Sequence, residues 1–224
     1  MACDDVDMGA SQRSTGDPSR AEVFSLYESG VAAVMGRERS WAPDDWTKHA
    51  CGEWDRADTV RHLCAVSAWY HSWLDRAIAG DASAPFHPDE FVTRNQAGVD
   101  ERRGVTGPEA VVEFQREALS YLGRAKQNWS LAFGFPLGIV TVGHHVGVAA
   151  AEWHLHAWDL TSVDSEPHSP NDPAALFRTA GAAVAEAEGG VRGRITALLV
   201  PIVARRSPWH AMLKRSGRKP DSAR

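Results

Sequence analysis

The chain has 224 residues, 43 % of them hydrophobic, enough apolar material for one well-packed globular domain. Its formal charge of −5 supplies no basic field for phosphates, so nucleic acid is not expected as a partner. The three cysteines (Cys3, Cys51, Cys64) are not spaced as C-x-x-C, no run approaches the roughly 18 apolar residues of a membrane span, and acidic Asp4, Asp5 and Asp7 stand where a signal peptide carries Lys or Arg. These features predict a soluble cytoplasmic protein without a thiolate metal cluster.

Residues 1–18 are rich in Asp, Ser, Gly and Thr without a period, and a mobile tail is expected there. Val23, Phe24, Tyr27, Val31, Val34 and Met35 recur at helical spacing and predict a first helix over 19–37. The segment 40–53, with Pro43 and Gly52, reads as a loop. A long second helix is predicted over 56–78, closed by Gly80, with Val66, Trp69, Trp73 and Ala77 continuing the face that carries His62. A crossover over 81–107 contains Pro85 and Pro88, with a short helix expected over 89–100. Pro108 suits the first turn of a third helix running to 127.

Pro136 and Gly138 precede a fourth helix over 146–160. Pro167 and Pro170 then break the pattern before a fifth helix over 173–188 and an apolar sixth over 193–204. Lys214, Arg215, Arg218 and Lys219 make a basic end, read as solvated. No strand alternation and no repeat is evident. The reading is all-α: a four-helix bundle over 19–165 and a C-terminal helical extension over 166–224.

Glu152 and His156 are one helical turn apart, so their side chains converge on one spot. A carboxylate and an imidazole placed this way form two-thirds of a metal site, and His62 on the second helix is the best third ligand. An acid flanked by Ala149, Ala150, Ala151 and Trp153 is costly unless it is paired or bound to a cation. His145, two turns before Glu152 on the same stripe, is open to ligation, to supporting a ligand or to substrate contact; His144 is less suited, and His154 lies on the opposite flank. Asp159 either orients His156 or caps the helix end, and Asp58 either orients His62 or favours the helix N-terminus. Trp69, Trp73, Trp153 and Trp158 are core residues or line a pocket mouth.

Trp54, Asp58, His62 and Leu63 match W-x-x-x-D-x-x-x-H-L, and Glu152, His156, Trp158 and Asp159 match E-x-x-x-H-x-W-D. On these motifs, residues 20–160 resemble the DinB-like superfamily, in its actinobacterial branch containing the N-terminal domain of mycothiol-dependent maleylpyruvate isomerase. The resemblance implies a four-helix bundle whose metal, usually zinc, is held by His62, Glu152 and His156, with mycothiol as thiol cosubstrate. It also places Asn95 at an Asn found in family members, here expected to contact the cosubstrate. The reaction implied is thiol transfer to an electrophile or thiol-assisted cis–trans isomerisation, with His145 as the catalytic candidate. Two alternatives stay open, a hydrolase using metal-activated water and a non-catalytic metal-binding stress protein. A His and carboxylate set accommodates nickel and iron(II) as well as zinc. Partners are then a small-molecule thiol and its electrophile, with no nucleic acid, no membrane and a homodimer as the assembly considered.

Overall fold

The computed structural model describes residues 18–161, 166–204 and 207–219. The tail expected over 1–18 therefore lies, Pro18 apart, outside the described residues.

Each bundle helix starts where a side chain satisfies backbone N–H groups that would otherwise be unpaired. Ser19 and Glu22 form a capping box at α1 (Arg20–Arg37), and Thr106 and Glu109 form another at α4 (Gly107–Gln127). Asp55 accepts from the Asp58 N–H at 2.7 Å and starts α2 (Arg56–Ile78). Thr141 accepts from the His144 N–H at 3.3 Å and starts α5 (Val142–Asp159), earlier than the predicted 146. Gly143 and Gly147 weaken helix propensity in that first stretch. Packing requires them: a Cβ on Gly143 would meet the Trp129 ring at 2.4 Å, and one on Gly147 would meet Thr179 Cγ2 at 2.2 Å.

In the bundle, α1 lies along α5 and α2 along α4, and the long α2–α4 crossover carries α3 (Phe91–Asp100) against α2. Trp153 is fully buried at the centre, its ring 5.9 Å from Tyr27 and 5.0 Å from Phe114. The Tyr27 hydroxyl donates to the Ala118 carbonyl at 2.9 Å, joining α1 to α4.

Three features differ from the sequence reading. Two antiparallel hairpins interrupt the helices, β1 (His49–Cys51) with β2 (Trp54–Asp55) and β3 (Ala132–Phe135) with β4 (Gly138–Thr141). Such short strands carry too few residues for alternation to register. The helix after α6 (Pro173–Glu188) begins at Gly190, so α7 spans Gly190–Ala204. At the basic end Lys214, Arg215 and Lys219 are exposed, as the sequence reading expected, but α8 (Pro208–Arg215) buries Trp209, Met212 and Leu213, packs on α6, and leads Arg218 inward. Helix α6 packs in turn on α5 and α1, so the C-terminal helices share the core of the bundle. Among the described residues no helix is long and apolar enough to cross a membrane.

Helix α1 approaches α5 closely at Gly30, where an added Cβ would lie 2.8 Å from Trp153 Cβ and 3.2 Å from His154 Cδ2. Gly30→Ala is expected to destabilise the fold by about 1–3 kcal/mol through overpacking. Urea unfolding would show this as a lower midpoint at unchanged slope.

Candidate metal centre and its cavity

The Asp55 cap fixes where α2 begins, and His62 consequently faces inward across the bundle to α5, where Glu152 and His156 sit one turn apart. His62 Nε2 is 3.3 Å from Glu152 Oε1, and the His62 and His156 rings are 5.0 Å apart. The three ligand atoms lie within 4.8 Å of one another. Zinc bonds of about 2.0–2.2 Å place tetrahedral donors roughly 3.3–3.6 Å apart, so small side-chain rotations close the set around one ion. The Tyr70 hydroxyl donates to Glu152 Oε2, leaving Oε1 toward His62. The Trp54 ring packs on His62 at 4.8 Å, and its indole N–H donates to Gln96 at 2.8 Å.

Burial alone would raise the Glu152 pKa, but the His62 hydrogen bond, the two imidazoles and the Tyr70 donor outweigh it and hold the carboxyl down at about 2. Burial lowers the His62 pKa against the pull of Glu152, which favours the neutral imidazole that a metal requires. Burial also opposes charge on His156, yet Asp159 and Cys51 outweigh it and lift that pKa to about 9. The Nδ1 atoms of His62 and His156 are buried without a hydrogen-bond partner. The His62 imidazole, favoured neutral, and the ionised Glu152 carboxylate suit a divalent cation, and with His156 they can hold it once the cation displaces the proton that Asp159 favours on that ring.

Behind His156 lies a second layer of polar groups. Asp159 Oδ2 is 3.0 Å from His156 Nδ1, although too far off the N–H axis to satisfy it, and Cys51 on β1 joins the pair within 4.8 Å. Arg218 donates to both Asp159 oxygens, through Nε at 2.8 Å and through Nη2. Burial would raise the Asp159 pKa, but His156 and Arg218 bring it down to about 2. Asp159 thus approaches His156, as one reading of the sequence had it, and a residue far along the chain holds it there.

The cluster adjoins a cavity of about 170 Å³. Val66, Trp69 and Trp73 of α2, Phe91 of α3 and Phe135 of β3 form its apolar wall. Tyr70, Asn95 and Glu152 are its polar lining, and among the described residues the Asn95 amide pairs with none.

The other expectations divide clearly. His145 is fully buried behind this wall, 2.7 Å from the Tyr121 hydroxyl and packed on Phe133 and Tyr70, and burial pushes its pKa down to about 3. His144 faces Glu186 at 2.5 Å. Asp58 pairs with Arg61 at 2.8 Å and not with His62, in keeping with the helix-start reading. Trp69 and Trp73 line the cavity, whereas Trp153 is core. His154 points away from the cluster, as its phase required, and is buried against His168 at 2.8 Å.

Sequence reasoning missed Tyr70, Cys51 and Arg218. Tyr70 lies two turns beyond His62 on the same face, so helical phase contained its signal. Cys51 arrives through an unread hairpin and Arg218 through the last helix, and neither had a local pattern to mark it.

Comparison with known proteins places one family on the chain. The family model of the mycothiol maleylpyruvate isomerase N-terminal domain matches residues 28–161, well over half of the sequence. No curated protein and no solved structure matches.

The purified protein is expected to carry about one divalent ion per chain, as a single three-ligand site holds. Elemental analysis should show large loss in His62→Ala and His156→Ala and retention in His87→Ala, whose side chain is 71 % exposed. Full retention in both site variants would exclude the site. Arg218→Ala should lower metal affinity roughly 10–100-fold, the usual effect of freeing a group that orients a ligand. Competition with a chromogenic chelator measures it.

Proposed function

The chain belongs to the mycothiol maleylpyruvate isomerase N-terminal domain family, and from that membership we propose a metal-dependent enzyme, with zinc as the metal, that joins or transiently adds mycothiol to a small electrophile. The observation that carries this reading is the double position of Glu152. It belongs both to the three-ligand cluster and to the cavity lining, so the centre adjoins a space suited to a substrate.

In this reading His62, Glu152 and His156 hold the ion and take no part in proton transfer. Bound there, a divalent cation supplies the Lewis acidity that lets a thiol lose its proton at neutral pH. Tyr70 keeps Glu152 turned to His62 by occupying the second carboxylate oxygen. Asp159, gripped by Arg218, steadies the far side of His156. Asn95 offers an unused amide to the thiol or the electrophile. His145 lies outside the cavity lining and positions the aromatic wall through its packing on Tyr70 and Phe135.

A hydrolase needs a base free to take a proton from water. Asp159 is committed to Arg218 and His145 is packed behind the wall, which favours the thiol reading. Arg218, just past α8, is paired with Asp159, so we assign the described C-terminal residues to the same functional unit as the bundle.

The test is consumption of an electrophile panel with and without mycothiol, before and after removal of the metal by a chelator. Turnover is expected to require the thiol, to vanish on chelation and to return with Zn2+. Thiol-independent, metal-dependent turnover would support the hydrolase. A rate that merely follows ionisation of the free thiol, rising through about pH 8.5 and indifferent to chelators, would overturn metal activation.

A further inference from the structure

The cavity beside Glu152 has a definite size, shape and charge, and these restrict what enters it. Trp69 and Trp73 project from successive turns of α2 with their rings 6.2 Å apart and inclined by only 21°. Phe135 meets Trp73 at 6.2 Å and Phe91 at 6.4 Å, so aromatic faces and edges reach the space from α2, α3 and β3. Its volume of about 170 Å³ is close to the roughly 150 Å³ of an apolar cavity that takes one benzene ring. Among the described residues no lysine, arginine or histidine lines it. The acidic side chain in the lining is Glu152, to which the Tyr70 hydroxyl donates.

His62 and His156 stand behind Glu152, on the side the ion would occupy, and do not line the cavity. Arg76 and Arg94 line a neighbouring cleft that shares Trp69 and Trp73 with the cavity. Arg76 is paired with Asp81 at 2.7 Å, and Arg94 is paired with Glu90 at 2.8 Å and lies over the Phe86 ring. A carboxylate entering the cavity would lose water, meet the Glu152 carboxylate and find no cationic side chain among the described lining residues. Asn95 is different: its neutral amide, free among the described residues, can donate to one carbonyl or nitro oxygen.

We infer that this cavity selects a neutral, flat molecule of about one six-membered ring bearing a single carbonyl- or nitro-type acceptor, and disfavours small dicarboxylates, the maleylpyruvate of the family's name included. The inference rests on the proposed function to the extent that the ion is occupied by the thiol and is not free to draw in an anion. It deepens that reading by naming the electrophile's chemical class. Recognition comes from ring faces and one hydrogen bond, with the metal reserved for the thiol.

Binding is measured without turnover, so it is separable from the enzymatic proposal. The full chain supplied with Zn2+ and saturating mycothiol, so that the thiol occupies the ion, is titrated with 4-fluoroacetophenone, a neutral ring with one carbonyl, and followed by fluorine NMR. Saturable binding is expected, and an equal concentration of maleate should not displace the probe. Trp69→Ala should weaken binding about tenfold by removing one aromatic face. Asn95→Asp, which preserves size and adds a carboxylate, should weaken it several-fold and serves if Trp69→Ala fails to fold. Binding of maleate more tightly than the ring, or ring binding unchanged in folded Trp69→Ala or in Asn95→Asp, would overturn the inference. Ring binding with this variant pattern but without thiol-dependent turnover would support the cavity assignment and count against the enzyme.

Discussion

An ionised carboxylate inside a helical bundle is unfavourable unless neighbouring groups replace the water it has lost. Glu152 is that carboxylate, and much of the surrounding structure compensates it. His62 approaches one oxygen and Tyr70 donates to the other, each from α2, while His156 stands one turn along α5. These partners outweigh the desolvation that would otherwise protonate it. They also favour the face α2 turns toward α5, because rotating His62 or Tyr70 away would leave the partly buried carboxylate without a partner. The same compensation makes a cation site, since a centre that stabilises an anion with oriented imidazoles presents three metal donors.

A second layer extends the constraint to the end of the chain. Arg218 reaches Asp159 across 59 positions, and Asp159 faces His156. A separate network holds the helices that deliver Arg218. His154 meets His168 at 2.8 Å and the Leu26 carbonyl at 3.1 Å, and the Trp209 indole donates to the His168 carbonyl at 3.1 Å. Thus α1, α5 and α8 are tied through one pair of stacked imidazoles. Burial keeps both rings in the neutral form, with pKa values pushed down to about 4 and about 3. The C-terminal helices accordingly belong to the packing that supports the candidate centre.

The cavity follows from how α2 and α3 meet. Gly98 of α3 sits where a Cβ would lie 2.7 Å from Ala65 Cβ and 3.5 Å from the Trp69 ring, so the short helix can approach closely. That approach brings Phe91 and Asn95 opposite Trp69 and Trp73 and lets a crossover segment form a wall. Loops and short connections over a rigid scaffold are common places for binding residues, and α3 occupies such a connection.

The sequence by itself determined the helical class, the four bundle helices and the convergence of Glu152 with His156. Each depends on local chemistry: capping residues mark the starts, a 3.6-residue period marks the buried face, and i,i+4 spacing puts two side chains together. His62 was also legible, because a histidine on an inward face opposite an otherwise costly acid has few partners to choose from. Tertiary structure decided the rest. Gly143 and Gly147 read as weak helix, and only Trp129 and Thr179 packed against them explain why α5 starts at Val142. Lys214, Arg215 and Lys219 are solvated as their charge suggests, but Arg218 among them is not, because Trp209 and Leu213 fold α8 onto the core and carry Arg218 to Asp159. Cys51 reaches His156 through a strand too short to leave a period. Contacts between distant segments depend on which faces pack together, and that information lies in the assembled core, beyond the reach of any local window of sequence.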